Sequence, residues 1–277
     1  MTVPALAAEA PATPLAPAFV RVTEVLPELR ITEERPRRGP GWISAAGLAA
    51  GGAEFEAFLA AEDARIEEEY GRRARPDVVA AFALHRYAWQ AAVLLTMPWF
   101  LLRRVPSVAP GDVSFHREGG RVTVRAGAFA CLPDDPAAGH PGARVAGGEA
   151  ALRKAVREAA VAHFGPLLAA FGPRMRRGPR ALWGAVADEL TEALWYLGGL
   201  LDEERRAVEE ATALLPAGTR PFGRGAAFRE LLSPRGEALL TRDRASCCFY
   251  YTLRPDDACL TCPRTCDSER VTRLTAG

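Results

Sequence analysis

Five of the six cysteines of this chain lie within twenty residues near its C-terminal end, in the stretch SCCFYYTLRPDDACLTCPRTC. The sixth is Cys131. Thiol side chains gathered in this way can form disulfides, coordinate zinc or hold an iron–sulfur cluster. Each of these uses requires a different spacing of the sulfur atoms and a different redox environment.

The spacing of the first four of these cysteines favours a two-metal cluster. Cys247 and Cys248 are adjacent, ten residues follow, and two residues separate Cys259 from Cys262. Structural zinc sites nearly always use two pairs of the second kind, because that spacing turns both sulfur atoms toward one ion. The side chains of adjacent cysteines diverge and suit a larger object, such as a two-iron cluster. Zinc therefore stays open as the alternative.

The motif C-C-x10-C-x2-C at this position resembles the signature of the FhuF-like ferric-siderophore reductases, a family of [2Fe-2S] proteins. Upstream, the stretch RALWGAVADEL (residues 180–190) resembles the Leu-Trp-Gly helix start of that family. The resemblance implies a [2Fe-2S] cofactor and no catalytic residue beyond the cluster. It also implies a ligand set of four cysteines: Cys247, Cys248, Cys259 and Cys262.

The residues that flank the motif are the candidate substrate contacts. Arg244 precedes the first ligand pair by three positions, and Tyr250 and Tyr251 follow the pair. We expect Arg244 to contact the oxygen atoms of a chelate and a tyrosine to offer a ring or hydroxyl. We expect the chelate to dock in a cleft between the tail and the helical body, near the Trp183 helix and the predicted β-hairpin. The alternative for Arg244 is that it only shields the cluster or tunes its potential.

Arginines surround the cysteine motif. As solvated charges they need no function, but guanidinium groups near an anionic cluster raise its potential and attract an anionic iron chelate. The five positions are Arg242, Arg244, Arg254, Arg264 and Arg270.

Two cysteines lie outside the predicted ligand set. Cys266 is a fifth thiol of the tail that the family pattern does not require, so it is either a spare residue or an alternative ligand in place of Cys262. Cys131 is predicted to be a small buried hydrophobic residue.

The function that the resemblance implies is the one-electron reduction of ferric siderophores, which releases Fe(II). No dinucleotide, flavin or P-loop motif follows a predicted strand, so the electrons must come from an external donor such as a ferredoxin or a flavin reductase. Two alternatives remain: a zinc-stabilised siderophore-binding protein without redox activity, and an iron–sulfur redox sensor.

Composition narrows the class of protein and its location. The chain has 277 residues, 49% of them hydrophobic, and a formal net charge of +1, which gives no reason to expect a nucleic-acid partner. No signal peptide and no membrane span are predicted, because prolines interrupt the apolar start and the longest apolar run is too short. We therefore expect a cytoplasmic protein, and reduced thiols make disulfides the least favoured use of the cysteines.

Periodicity predicts an α+β fold that is mainly helical. Helices are predicted over residues 53–73, 77–104, 149–171, 180–201 and 203–215. Alternation around Glu118-Gly119-Gly120 predicts a β-hairpin within residues 112–132. The predicted organisation is a disordered Ala/Pro-rich leader (1–40), a mainly helical body with a small sheet (41–241) and a cluster-binding tail (242–277). The tail has few large aliphatic residues, so a bound metal is expected to fold it.

Overall fold

The computed structural model of the chain describes residues 13–276. Within that range the helices are α1 (Ala16–Val25), α2 (Ala45–Ala50), α3 (Ala53–Tyr70), α4 (Pro76–Leu102), α5 (Glu149–Met175), α6 (Pro179–Leu200), α7 (Glu204–Leu214) and α8 (Asp267–Ala276). The strands are β1 (Arg30–Glu33), β2 (Trp42–Ser44), β3 (Val105–Ser107), β4 (Val113–His116), β5 (Arg121–Val124), β6 (Ala128–Cys131), β7 (Ala143–Val145), β8 (Phe228–Leu232) and β9 (Ala238–Arg242). Helices, including two short 3-10 turns, make up 52% of the described residues, which confirms the predicted fold class.

Helix α4 is the centre of the molecule. Apolar residues surround it, and α1, α3, α5 and α6 all pack against it. It is long and apolar enough to span a membrane, but 72% of its most apolar window is buried inside the protein. This burial accounts for its apolar run as the core of the fold.

The predicted hairpin forms the middle of a four-stranded sheet with the order β1-β5-β4-β2. Strands β4 and β5 are antiparallel, and Phe115 pairs with Val122 in the register that the alternation predicts. The hairpin ends at Val124, however, because β6 leaves it and pairs with β3 and β7 in a second sheet. Cys131 lies at the end of β6 and is fully buried.

The predicted leader is wrong for residues 13–40, which the structure describes, while residues 1–12 lie outside the described range. Helix α1 buries Phe19 and Val22 in the main core, and β1 pairs in parallel with β5. Pro17 stands in the first turn of α1, where a helix tolerates proline because the missing N–H has no intrahelical partner. Prolines at this position therefore start a helix here and do not indicate disorder.

A third sheet connects the body to the tail. Strands β8 and β9 form a two-stranded antiparallel hairpin, and α8 packs back against β8. The predicted boundary at residue 242 falls at the last residue of β9. Phe249, beyond that boundary, belongs to the same continuous core as Leu15. The tail is thus attached to the body by packing as well as by the chain.

Candidate metal centre

A buried carboxylate on α6 fixes the backbone that leads into the cysteines. Asp188 has no exposed surface. One of its oxygens accepts a hydrogen bond from the amide of Ala245 at 2.9 Å, and the other accepts from the amide of Ser246 at 2.9 Å. Because Ser246 directly precedes Cys247, this one side chain sets the position at which the first ligand pair leaves the body.

Helix α6 can approach this loop closely because it lacks a side chain at Gly184. A Cβ atom there would lie 3.3 Å from the Cβ of Ala245, which is tighter than ordinary van der Waals contact. This glycine belongs to the Leu-Trp-Gly start noted in the sequence. Trp183 beside it is half-buried and packs edge-on against Phe222, with 5.6 Å between ring centroids. Trp183 therefore packs in the core, and the missing side chain at Gly184 lets the tail pack closely against α6.

Two arginines of the tail are buried against acidic residues of α6. Arg242 is fully buried and donates to Asp188 at 3.1 Å and to Glu192 at 3.3 Å. Arg244 is only 8% exposed and donates to Glu189 at 3.1 Å. Burial alone would lower the pKa of Arg244, but the neighbouring carboxylates raise it, so its positive charge is permanent.

His85 on α4 completes this charge network. Its Nδ1 lies 2.7 Å from Glu189, which is almost fully buried, and the charge of Glu189 raises the pKa of His85. Burial would raise the pKa of Glu189 itself, but His85 and Arg244 outweigh that effect and hold it below its ordinary value. His85, Glu189 and Arg244 line one narrow cleft together with Cys247 and Cys248. The first ligand pair therefore faces a fixed ionic network.

Two of the four predicted ligands, one from each pair, are close neighbours. The sulfur atoms of Cys248 and Cys259 lie 3.8 Å apart. The hydrogen bond from Cys259, together with the charge of Arg244, lowers the pKa of Cys248 to about 6. Burial is the main cause that raises the pKa of Cys247, and the charges of Cys248 and Cys262 add to it. Cys262 is 2% exposed, whereas the other three thiols are half-buried.

This arrangement fits a two-metal cluster. Two thiolates that each lie about 2.3 Å from one tetrahedral ion are about 3.8 Å apart, which is the separation of Cys248 and Cys259. A [2Fe-2S] cluster needs only two protein ligands for each iron, so pairs of sulfur atoms are the geometry it requires.

A buried arginine of helix α8 connects the second ligand pair to the body. Arg270 is 1% exposed and donates to the carbonyl oxygen of Cys262 at 3.0 Å and to Asp243 at 2.8 Å. Cys266 lies just before α8, is exposed, and has its sulfur 3.2 Å from the hydroxyl of Ser268. The neighbour that the structure gives to the fifth thiol is thus a serine at the start of a helix.

The candidate substrate contacts occupy different environments. Arg244 is enclosed by carboxylates, as described above. The hydroxyl of Tyr250 donates to Asp257 at 3.3 Å, and the Tyr251 ring lies under the guanidinium of Arg264 at 4.3 Å. Both tyrosines are half-buried and lie at the surface of the tail. The structure therefore separates Arg244 from the two tyrosines by their exposure to solvent.

Residues 244–264 match the sequence family described as FhuF 2Fe-2S C-terminal domain. This segment is similar to a domain that is named for the [2Fe-2S] cluster it binds. The matched range contains all four predicted ligands and Arg244, and it ends before Cys266. No curated protein sequence matches the chain. The comparison confirms the resemblance and the cofactor, whereas the individual ligands stay predictions.

The acidic residues of α6 are the part of the site that sequence reasoning missed. Asp188 and Glu189 are buried and Glu192 is half-buried on a helix whose other buried positions, apart from Thr191, are apolar residues or glycine. Charged residues on an apolar helix face are almost never fully buried unless they are paired. Matched with the arginines of the stretch RDR (residues 242–244), they could have indicated an ionic contact between α6 and the tail.

Proposed function

We propose that this protein is a cytoplasmic ferric-siderophore reductase. The observation that carries the proposal is the approach of Cys248 and Cys259, one cysteine from each predicted ligand pair, inside a segment that matches the FhuF 2Fe-2S C-terminal domain. The cytoplasmic location is supported by the cysteines, all six of which are free thiols. Oxidising compartments favour disulfides, and reducing ones keep such thiols available for metal.

The chemistry depends on the ligand preference of iron. Hard oxygen donors bind Fe(III) far more tightly than Fe(II). The transfer of one electron to the bound Fe(III) therefore converts a stable chelate into one that releases its iron readily. When bound, the cluster supplies that single electron. For a one-electron couple, each ~59 mV of potential difference changes the equilibrium constant about tenfold.

The residues of the chain hold and shield the site. The four cysteines are the expected ligands, and Asp188 and Arg270 fix the two backbone segments that carry them. Arg244 places a permanent positive charge beside Cys248. Because Arg244 is buried and its donors point to carboxylates, we assign it to the cluster side of the site and not to the chelate.

We place the chelate at an open hollow of about 570 Å³ beside Cys259. Its lining includes Tyr250, Asp257 and Arg273. This differs from the predicted cleft near Trp183 and the β4–β5 hairpin, because the cleft between the tail and α6 is filled by the His85 network. The hairpin that contacts the tail is β8–β9. The surface at Cys259 combines a ligand cysteine with open space for a bulky complex.

Anaerobic purification followed by iron and sulfide analysis and a visible spectrum tests the cofactor. Mixing the reduced protein with a ferric trihydroxamate or a ferric catecholate, with a coloured Fe(II) trap present, tests the reaction. We expect one Fe(II) released for each reduced cluster. A colourless protein with stoichiometric zinc would support the zinc-stabilised binding protein in place of the reductase. A cluster that cannot reduce either chelate would favour the redox sensor.

A further inference from the structure

The loop between α5 and α6, taken here with the helix ends that flank it, concentrates positive charge without balancing acids. Residues 173–180 read PRMRRGPR and contain four arginines and no Asp or Glu. Arg174 is paired with Glu56. Within residues 13–276, the other three arginines of the loop make no ion pair, and Arg176 and Arg180 are exposed. A chain whose charges otherwise nearly balance, 35 basic against 34 acidic residues, leaves an unbalanced group here.

This loop contacts the tail next to the ligand cysteines. The guanidinium of Arg177 lies 4.3 Å from the ring centroid of Phe249. The amide of Phe249 in turn donates to the sulfur of Cys247 at 3.5 Å. Arg177 therefore lies beside the first ligand, and Arg176 and Arg180 are its close neighbours in the chain.

The tail adds a fourth arginine of the same kind. Arg264 is exposed, follows Cys262 by two residues and lies 4.3 Å from the Tyr251 ring centroid. No carboxylate of the described residues pairs with it. We name Arg176, Arg177, Arg180 and Arg264 the arginine rim.

We propose that the arginine rim is the docking surface for an acidic electron-carrier protein. Unpaired arginines that repel one another do not stabilise the fold, but they attract a partner of opposite charge and raise its rate of association. The chain has no nucleotide or flavin motif after a strand, so its electrons need an external source. The open hollow beside Cys259 contains Asp256 and Asp257 and is left to the chelate.

This inference rests on the proposed function and adds the path that the electron follows through the protein. One electron leaves the carrier at the side of Cys247 and Cys262, and one electron leaves for the chelate at the side of Cys259. No bond forms or breaks at the rim, and no proton is required there. The two partners can therefore be bound at the same time without competing for one surface.

The test uses the holoprotein and a reduced plant-type [2Fe-2S] ferredoxin, an acidic carrier, in a stopped-flow instrument. The variant R176Q/R180Q should be reduced at least about tenfold more slowly than the wild type at low ionic strength, since charges at the edge of an interface act mainly on the association rate. At 1 M salt, where charges are screened beyond about 3 Å, the two rates should converge. R264Q should show the same trend.

The matched control is R35Q/R38Q, which removes two exposed arginines without ion pairs from the loop between β1 and β2. It should be reduced at the wild-type rate. Photoreduction with a small uncharged deazaflavin checks that every variant carries a reducible cluster. Equal ferredoxin rates for R176Q/R180Q and the control would overturn the docking surface, as would a loss of chelate affinity with unchanged ferredoxin rates. Normal ferredoxin rates in the wild type without Fe(II) release would reject the reductase and leave the docking surface standing.

Discussion

At the scale of the residue, the structure decides between two roles of one arginine. Sequence position places Arg244 beside the ligands, where it could contact either a chelate or the cluster. Its burial against Asp188 and Glu189 removes it from solvent and points its donors away from the surface. A fixed positive charge near thiolate ligands stabilises the reduced, more negative state of a cluster.

The substitution Arg244→Gln should therefore lower the midpoint potential of the cluster and leave chelate affinity unchanged. Redox titration followed by absorbance measures the first quantity, and quenching of tryptophan fluorescence by the ferric chelate measures the second. Arg254→Gln is the matched control, because Arg254 is exposed and lies over the Tyr70 ring. If Arg244→Gln weakened the affinity for the chelate and left the midpoint potential unchanged, Arg244 would be a substrate contact.

The ligand set makes a second prediction at this scale. Single Cys→Ser changes at positions 247, 248, 259 and 262 should each abolish or strongly alter the visible spectrum. Cys131→Ser should leave the spectrum intact because Cys131 is buried in β6. Cys266→Ser should also leave it intact because that sulfur faces Ser268. A native spectrum in Cys262→Ser combined with its loss in Cys266→Ser would exchange these two residues as ligands.

At the scale of the element, a buried histidine connects the two longest helices. Tyr87 on α4 donates its hydroxyl to Nε2 of His163 on α5 at 2.7 Å, and Nδ1 of His163 donates to the carbonyl oxygen of Val108 at 2.9 Å. Both ring nitrogens are thus used by the neutral form. Burial lowers the pKa of His163 to about 4 from its ordinary value of 6.5.

Because the folded state binds this proton more weakly than the unfolded state, its stability should fall as the pH drops from about 6.5 to about 4. The gap between the two pKa values corresponds to a loss of about 3 kcal/mol. Urea unfolding at pH 7.0, 6.0, 5.0 and 4.0 measures this loss. His163→Gln should flatten the pH dependence, and His140→Gln, in an exposed loop, should not. An unchanged slope in His163→Gln would assign the effect to other groups.

The elements that sequence reasoning located are those with a strong period. Helices α3 to α7 and the β4–β5 hairpin lie within a few residues of their predicted bounds, because apolar periodicity and Gly or Pro at the ends are local signals. Helix α1 was not predicted, because prolines in an Ala-rich stretch are typical of disorder, although one of them lies in the first turn of the helix. Strands β8 and β9 were missed because their side chains are largely half-buried or exposed and carry little alternation.

The site itself was predictable only in part. The spacing of the cysteines identified the four candidate ligands, since ligand spacing is a property of the chain alone. Which arginines are buried is a property of the tertiary structure. Arg242, Arg244 and Arg270 are buried, and Arg254 and Arg264 are exposed, although all five stand at similar distances from the motif in sequence.

At the scale of the whole molecule, two separate sets of hydrogen bonds hold the tail against the body. Its first part is fixed to α6 by Asp188, and its last part is fixed to β9 by Arg270. The segment between them, residues 253–261, is exposed or half-buried over residues 254–260, whereas Leu253 at its start packs against Ile66 and Val79. A segment of this kind depends on a bound metal more than the segments on either side.

Removal of the cluster with a chelator should therefore open the tail unevenly. We expect the amides of Ala245 and Ser246 to keep their protection from hydrogen exchange, because Asp188 accepts both hydrogen bonds without help from a metal. Residues 253–261 should exchange much faster in the apoprotein, and α4 should be unchanged as the internal control. Hydrogen exchange followed by mass spectrometry compares the two forms. Equal protection of residues 253–261 in both would mean that packing alone orders the tail.

The anchoring of Ser246 by Asp188 also has a consequence for the order in which the centre is built. The adjacent pair Cys247 and Cys248 directly follows this anchored backbone, whereas Cys259 lies in the more exposed segment between the two anchors. A cluster handed over by a scaffold protein would then be captured first by the fixed pair and enclosed afterwards by the loop. Maturation of this protein would follow the folding of its body, and a body that fails to fold would not sequester iron.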